Sequence, residues 1–220
     1  MSARVRILSN LRRKLEETRT TEERQQAVSE RLRLAGAQTA PRPEASTLEG
    51  PAALERFEAK LKAVDATLSR LDDLSQLPAA LAEQLRARNL PAAIRMGEDP
   101  DFAALDWSAL DATRGIGRIE EPATLSRATC GAAETGTVAL RSGPENPVTL
   151  TFLGETHFVV LKDSEIVPGL EDLFARVRRA GPMPRTTNLV TGPSRSADIG
   201  QVLQLGAHGP VAVHVFLVKD

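Results

Sequence analysis

The chain has 220 residues, 41 % of them hydrophobic and 26 % charged, enough to bury one sizeable core and unlike a disordered chain. Its 28 Lys plus Arg against 29 Asp plus Glu give a net charge of −1, which excludes the global field of a non-specific nucleic-acid binder. The single cysteine, Cys130, excludes an intramolecular disulfide, a four-cysteine zinc site and an iron–sulfur cluster held by this chain alone, and 3 % aromatics without tyrosine argue against a base-stacking platform.

Met1 to Leu15 reads as a short helix with Val5, Leu8, Leu11 and Leu15 on one face. It is charged and amphipathic rather than a secretory signal, so the expected location is cytoplasmic. Glu16 to Ala27 is mostly polar, and Gly36 to Pro51 carries three prolines and two glycines, a linker composition. Residues 1–52 are therefore expected to form a helical arm and linker, and residues 53–220 the main domain. The nine Lys and Arg up to Ala35, against five acids, suit a solvated face or a partner-docking surface better than nucleic acid.

From Pro51 onward helix and strand patterns alternate. Leu54, Phe57 and Leu61 make a helical stripe, and Val64 to Ser69 alternates with a strand period. Leu77, Leu81 and Leu85 mark a helix that ends at Asn89 and Pro91, and Ala92 to Met96 follows as a strand. Asp99 to Glu121 has no clear period, with Trp107 expected to anchor it to the core. Short apolar runs at Thr137–Leu140, Val148–Leu153 and His157–Leu161 read as strands. Leu170, Leu173, Phe174 and Val177 form an amphipathic helix, acidic in its first turn, basic in its last and followed by Gly181. Asn188–Thr191 reads as a strand, Ser196–Leu205 as a helix and Val211–Val218 as a buried strand. Ile199 to Val218 is twenty residues without an Asp, Glu, Lys or Arg. Its glutamines, histidines and Gly209-Pro210 break favour a buried helix, turn and strand over a membrane span. The class is α/β, a sheet covered on both faces.

Three loops carry chemistry. In Ala133-Glu134-Thr135-Gly136-Thr137, a carboxylate and two hydroxyls surround a glycine; Glu134 is a candidate general base or nucleophile, or else caps a turn. In Thr191 to Asp198, two serines bracket Arg195 where a helix is expected to begin. A helix N-terminus and a forked guanidinium suit an anion, and Asp198 is placed to pair with Arg195. Gly206-Ala207-His208-Gly209-Pro210 presents His208, which can transfer protons near neutral pH. His157, His208 and His214 match no metal spacing, so no metal site is expected. His214 reads as a core histidine, and Cys130 as a small buried residue.

In chain order, AETGT at 133–137, a strand-starting His157, TGPSRSADI at 191–199, GAHGP at 206–210 and VHVFLV at 213–218 resemble the lactate-utilization protein C family (LutC/YkgG, LUD domain). The similarity is strongest from Ala133 to the end and includes the arginine-rich first helix. The family commonly has a proline ahead of the histidine and a threonine in the SR-x-AD element; Gly154-Glu155-Thr156 and Ser196 stand there instead. Serine keeps the hydroxyl. The resemblance implies a Rossmann-like layered fold of the NagB/RpiA/CoA-transferase type. It also implies a role in oxidising L-lactate to pyruvate with LutA-like and LutB-like partners that carry the iron–sulfur clusters, this chain holding no cofactor. CoA transferases of that fold use a glutamate closely followed by glycine, to which Glu134-Thr135-Gly136 is similar.

The leading expectation is a non-redox carboxylate- or anion-binding subunit. Thr135, Gly136, Thr137, Ser194 and Arg195 would cradle the ligand, Glu134 and His208 would transfer protons, and Asp198 would orient Arg195. The alternatives are a CoA/acyl-transferase-like or isomerase-like enzyme using Glu134, and a structural assembly subunit that docks through its N-terminal arm.

Overall fold

A computed structural model describes residues 3–16, 20–37, 42–197 and 203–220. The chain forms two compact units, Met1–Arg42 and Pro43–Asp220. The first holds helices α1 (Ala3–Glu16) and α2 (Thr21–Ala37). Thr20 opens α2 with a capping box: its hydroxyl accepts from Glu23 N at 3.2 Å, and the Glu23 carboxylate accepts from Thr20 N at 2.8 Å. On α1 the stripe Val5, Leu8, Leu11 and Leu15 is exposed.

In the second unit, residues 43–49, linker-like in composition, lie within the compact body: Ser46 is buried and Leu48 packs on the core. The elements run α3 (Gly50–Ala63), β1 (Thr67–Leu71), α4 (Leu77–Ala87), β2 (Ala93–Met96), α5 (Pro100–Ala103), β3 (Asp111–Arg114), β4 (Ala123–Arg127), β5 (Cys130–Ala132), β6 (Thr137–Arg141) and α6 (Val148–Phe152). There follow β7 (Thr156–Lys162), β8 (Ile166–Val167), α7 (Leu170–Arg179), β9 (Thr187–Val190), β10 (Arg195–Ala197), β11 (Leu203–Leu205) and β12 (Ala212–Val218). Six strands form one sheet in the order β1-β12-β7-β4-β2-β3, every neighbouring pair parallel. A second sheet, β8-β5-β6-β9, is mixed, and β10 pairs antiparallel with β11.

Parallel strands need crossovers, and crossovers cover faces. Phe158 and Val160 of β7, with Phe216 and Val218 of β12, meet Leu77, Leu81 and Leu85 of α4 on one face. The alternate residues Val159, Leu161, Val215 and Leu217 meet Phe57 and Leu61 of α3, and Val138 and Leu140 of β6, on the other. Beyond the small sheet, α7 adds Leu173 and Val177 against Cys130, Ala132 and Ala139. The layered, Rossmann-like α/β class holds.

Local signals explain many of the ends. Helix α4 stops where Asn89 turns left-handed (φ +55°) and Leu90 N reaches back to Leu85 O at 2.9 Å. Trp107 packs edge-on to Phe102 and donates to its carbonyl at 2.7 Å, tying the irregular middle to the core. Two expectations are corrected. Val148–Leu153 is not a strand: Val148–Phe152 is α6, following Pro147, with Leu150 O accepting from the Thr124 hydroxyl at 2.7 Å. Ser196–Leu205 is not a helix: its described parts are β10 and β11, joined across the pair by Gly206 N to Ser194 O at 3.2 Å. Strands β3 and β4 lack an apolar run, β5 and β8 are only three and two residues long, and β1 starts two residues after Asp65, which takes a left-handed turn (φ +60°).

Among the described residues no helix is long and apolar enough to cross a membrane, and residues 203–205 and 212–218 of the uncharged stretch are strands.

Phe57 is fully buried where α3 meets the sheet, and Gly131 leaves room for its ring. Phe57→Ala is expected to cost about 3–5 kcal/mol, read from the urea midpoint at unchanged slope; a loss under about 1 kcal/mol would contradict this packing.

Candidate functional site

The marked loops gather at the amino ends of the parallel strands, around the turn Val64-Asp65 between α3 and β1. Gly136 (φ +71°) lets its loop lie on the last turn of α3, where a Cβ would stand 2.8 Å from Leu61 N. Gly192 (φ +81°) does the same against Val64, with a Cβ 2.7 Å from the Val64 carbonyl oxygen. Both positions need glycine for conformation and for space. Pressed together, the loops join three hydroxyls: Thr135 to Thr137 at 2.6 Å and Thr137 to Thr191 at 2.7 Å. Thr137 is buried and Thr191 exposed, so the chain of hydroxyls runs from the core to the surface.

Arg195 lies on β10, and its Nη2 stands 3.3 Å from Asp65 Oδ2. No helix begins there, so the helix-terminus argument for an anion lapses and the guanidinium alone supplies the charge. Asp198 lies outside the described residues. Asp65 was not foreseen as a partner; only its place in a helix-to-strand turn marks it. Ser194 donates its N–H to Pro210 O at 2.8 Å, and its hydroxyl accepts from His208 N at 3.3 Å. The His208 loop therefore rests on Ser194, with the imidazole exposed. Glu134 turns elsewhere: its Oε2 accepts from Leu170 N at 3.4 Å, at the start of α7. A carboxylate there complements the helix dipole.

The remaining reactive side chains are withdrawn. Cys130 is fully buried, and burial pushes its thiol up to about 11. His157 and His214 lie on neighbouring strands but face opposite sides of the sheet: Phe158, not His157, pairs with His214. On its side His214 packs edge-on to Phe158 and Phe216. Arg88 donates to the Thr67 hydroxyl at 2.9 Å, and Thr67 lies 2.7 Å from His214 Nδ1. Arg88 Nη2 also stands 3.3 Å from Nδ1, and a guanidinium only donates, so Nδ1 is the acceptor; the proton falls on Nε2, which has no partner among the described residues, and the ring is neutral. His157 is fully enclosed, with no partner for either nitrogen among the described residues. Burial lowers both histidines to about 3, helped at His214 by the Arg88 charge. Among the described residues no group of three His, Cys, Asp or Glu could hold a metal.

The family model of the LUD domain matches residues 54–218, from within α3 to the end of β12. The chain belongs to the LUD domain family. Lactate utilization protein C of Anoxybacillus flavithermus is 37 % identical over 117 residues, 50 % of this chain and 51 % of that protein. Lactate utilization protein C of Bacillus licheniformis is 34 % identical over 122 residues, 52 % of this chain and 50 % of that protein. The matched part thus spans about half the length of these relatives. The protein YkgG of Escherichia coli is 26 % identical over 164 residues, 72 % of this chain and 70 % of that one. A crystal structure of a DUF162 family protein from Deinococcus radiodurans shares the fold, with a TM-score of 0.57 and 21 % identity over 78 % of this chain and 99 % of that one.

The buried histidines make this LUD domain acid-sensitive. Unfolded, they take up protons below their ordinary value of 6.5; folded, they stay neutral down to about pH 3. The unfolded state binds more protons in that window, so stability falls as pH drops through it, by about 2 kcal/mol per histidine at pH 5. His157→Leu is expected to stay folded at pH 7 and to flatten the fall in urea midpoint between pH 7 and 5. An equally steep fall in the variant would contradict the burial of a neutral His157.

Proposed function

We propose that the chain is a non-redox, carboxylate-binding component of a lactate-utilisation system, acting with LutA-like and LutB-like proteins that carry the iron–sulfur clusters. The printed names of its relatives, lactate utilization protein C, support the setting. Within the chain, one observation carries the reading: Arg195 and three linked threonine hydroxyls border the same Val64-Asp65 turn. The Arg195 side chain is 31 % exposed, and its carboxylate partner Asp65 is 74 % exposed, so water weakens the pair and a ligand carboxylate can take Asp65's place. Ser194 and Thr191 add hydroxyl donors, and His208, whose backbone N–H donates to the Ser194 hydroxyl, is the candidate for proton transfer. A buried thiol held at about 11 suits a subunit that binds substrate while electrons pass through other chains.

The experiment is calorimetric titration of the chain with L-lactate. Arg195→Lys keeps the charge and loses the fork, so affinity is expected to fall about tenfold, about 1.4 kcal/mol. Glu134→Gln is expected to change it less than twofold, because that carboxylate is turned to α7. Unchanged affinity in Arg195→Lys, or loss of binding in Glu134→Gln, would overturn this arrangement; the second result would favour the transferase-like alternative.

A further inference from the structure

A cleft of about 670 Å³ contains none of these loops. It opens at the other end of the sheet, over the carboxyl ends of β2, β4 and β7. From β2 the path goes outward to β3, whereas β4 lies on the other side of β2 and leads inward to β7 and β12. Strand order therefore reverses between β2 and β4, the position at which open parallel sheets leave a crevice for ligands.

The floor is rigid. Arg127, at the end of β4, makes a two-pronged pair with Glu165 at 2.7 and 2.8 Å, and its Nη1 also donates to Ala128 O at 3.0 Å. Both side chains are about 15 % exposed, at 14 % and 15 %, and their charges cancel. One wall is basic. Arg141 donates to Ala180 O at 2.9 Å and to Pro182 O, and Arg176 donates to Ser164 O at 3.3 Å. Arg179 completes this wall, and among the described residues none of these three is ion-paired. The opposite wall is acidic, with Asp99 and Glu145. Asp99 is 9 % exposed, and burial raises its carboxyl above the usual range. Between the walls sits Asn146, 7 % exposed, whose Nδ2 donates to Arg141 O at 3.3 Å while its Oδ1 has no partner among the described residues. A buried acceptor without a donor is costly, and Asn146 is one of the residues that line the cleft.

We propose that this cleft is a second binding site, for a small hydroxylated anion: Arg141, Arg176 and Arg179 hold its carboxylate or phosphate, and Asn146 Oδ1 and Asp99 accept from its hydroxyls. Fixed arginines suit either charged group, and paired acceptors select molecules that carry hydroxyls beside it. This site is independent of the Arg195 patch.

The test is calorimetric titration of the full chain with D-glycerate, glycerol 3-phosphate, acetate and inorganic phosphate. At least one of the two hydroxylated probes is expected to bind ten times more tightly than the plain anion with the same charged group, and which one does so tells carboxylate from phosphate. The paired substitutions R176Q and R179Q, at a half-buried and an exposed position, are expected to weaken that probe at least tenfold, and Asp99→Asn, which keeps the turn-capping oxygen, at least threefold. Arg195→Lys should leave it unchanged, so loss of the Arg195 patch and loss of the cleft read out separately. Four probes bound alike, no binding at millimolar concentration, or binding that survives R176Q with R179Q would overturn the proposal.

Discussion

Parallel pairing governs this molecule. Because all six strands of the main sheet run the same way, each connection must travel back over a face, and the turns sort into two groups at opposite ends of the strands. Turns that enter strands, at 64–66, 154–155 and 206–211, collect at one end. Those that leave strands, at 97–99, 127–129 and 163–165, collect at the other. The same constraint buries both faces and gives β7 and β12 their near-continuous apolar runs. What the protein can bind follows from which side chains this sorting brings side by side.

The amino end collects hydroxyls and one accessible guanidinium around the turn at Val64-Asp65. The carboxyl end collects, besides the paired Arg127, three arginines with no ion-pair partner among the described residues, facing an enclosed aspartate and an asparagine oxygen likewise unmatched there. Neither end presents the thiol or the strand histidines, which burial keeps neutral. Among the described residues the exposed imidazole is that of His208. Such an inventory favours non-covalent recognition of anions, in keeping with a LUD domain whose relatives are named for lactate utilization.

Much of this was legible in sequence where a single period and a cap agreed. The leucines of α4 and the left-handed Asn89 after it, the charge-polarised α7, and the apolar runs of β7 and β12 all stand within a few residues of their expected places. The central strand β4 was hidden, because Thr124 and Ser126 occupy buried positions and break the apolar pattern; the Thr124 hydroxyl is satisfied only by Leu150 of α6, far along the chain. Val148–Phe152 is five residues long, too short for its period to separate helix from strand. The glycine-containing loops could be marked because glycine and hydroxyl residues cluster locally. Their grouping around Val64-Asp65 could not, since it depends on contacts such as Arg195 with Asp65 across the fold. The carboxyl-end cleft left one local trace, the basic last turn of α7 that holds Arg176 and Arg179; its other parts are scattered, Arg127 and Glu165 standing 38 positions apart and Asp99 lying in a stretch without periodicity.

The central claim is that the two ends of the sheet are separate binding surfaces, with the hydroxylated anion held at the carboxyl end. A crystal structure of the chain soaked with the tightest-binding hydroxylated probe tests it most directly. The account predicts the charged group on Arg141, Arg176 and Arg179, with a hydroxyl at Asn146 Oδ1. Density only at the Arg195 turn, or a ligand that leaves Asn146 unmatched, would contradict it.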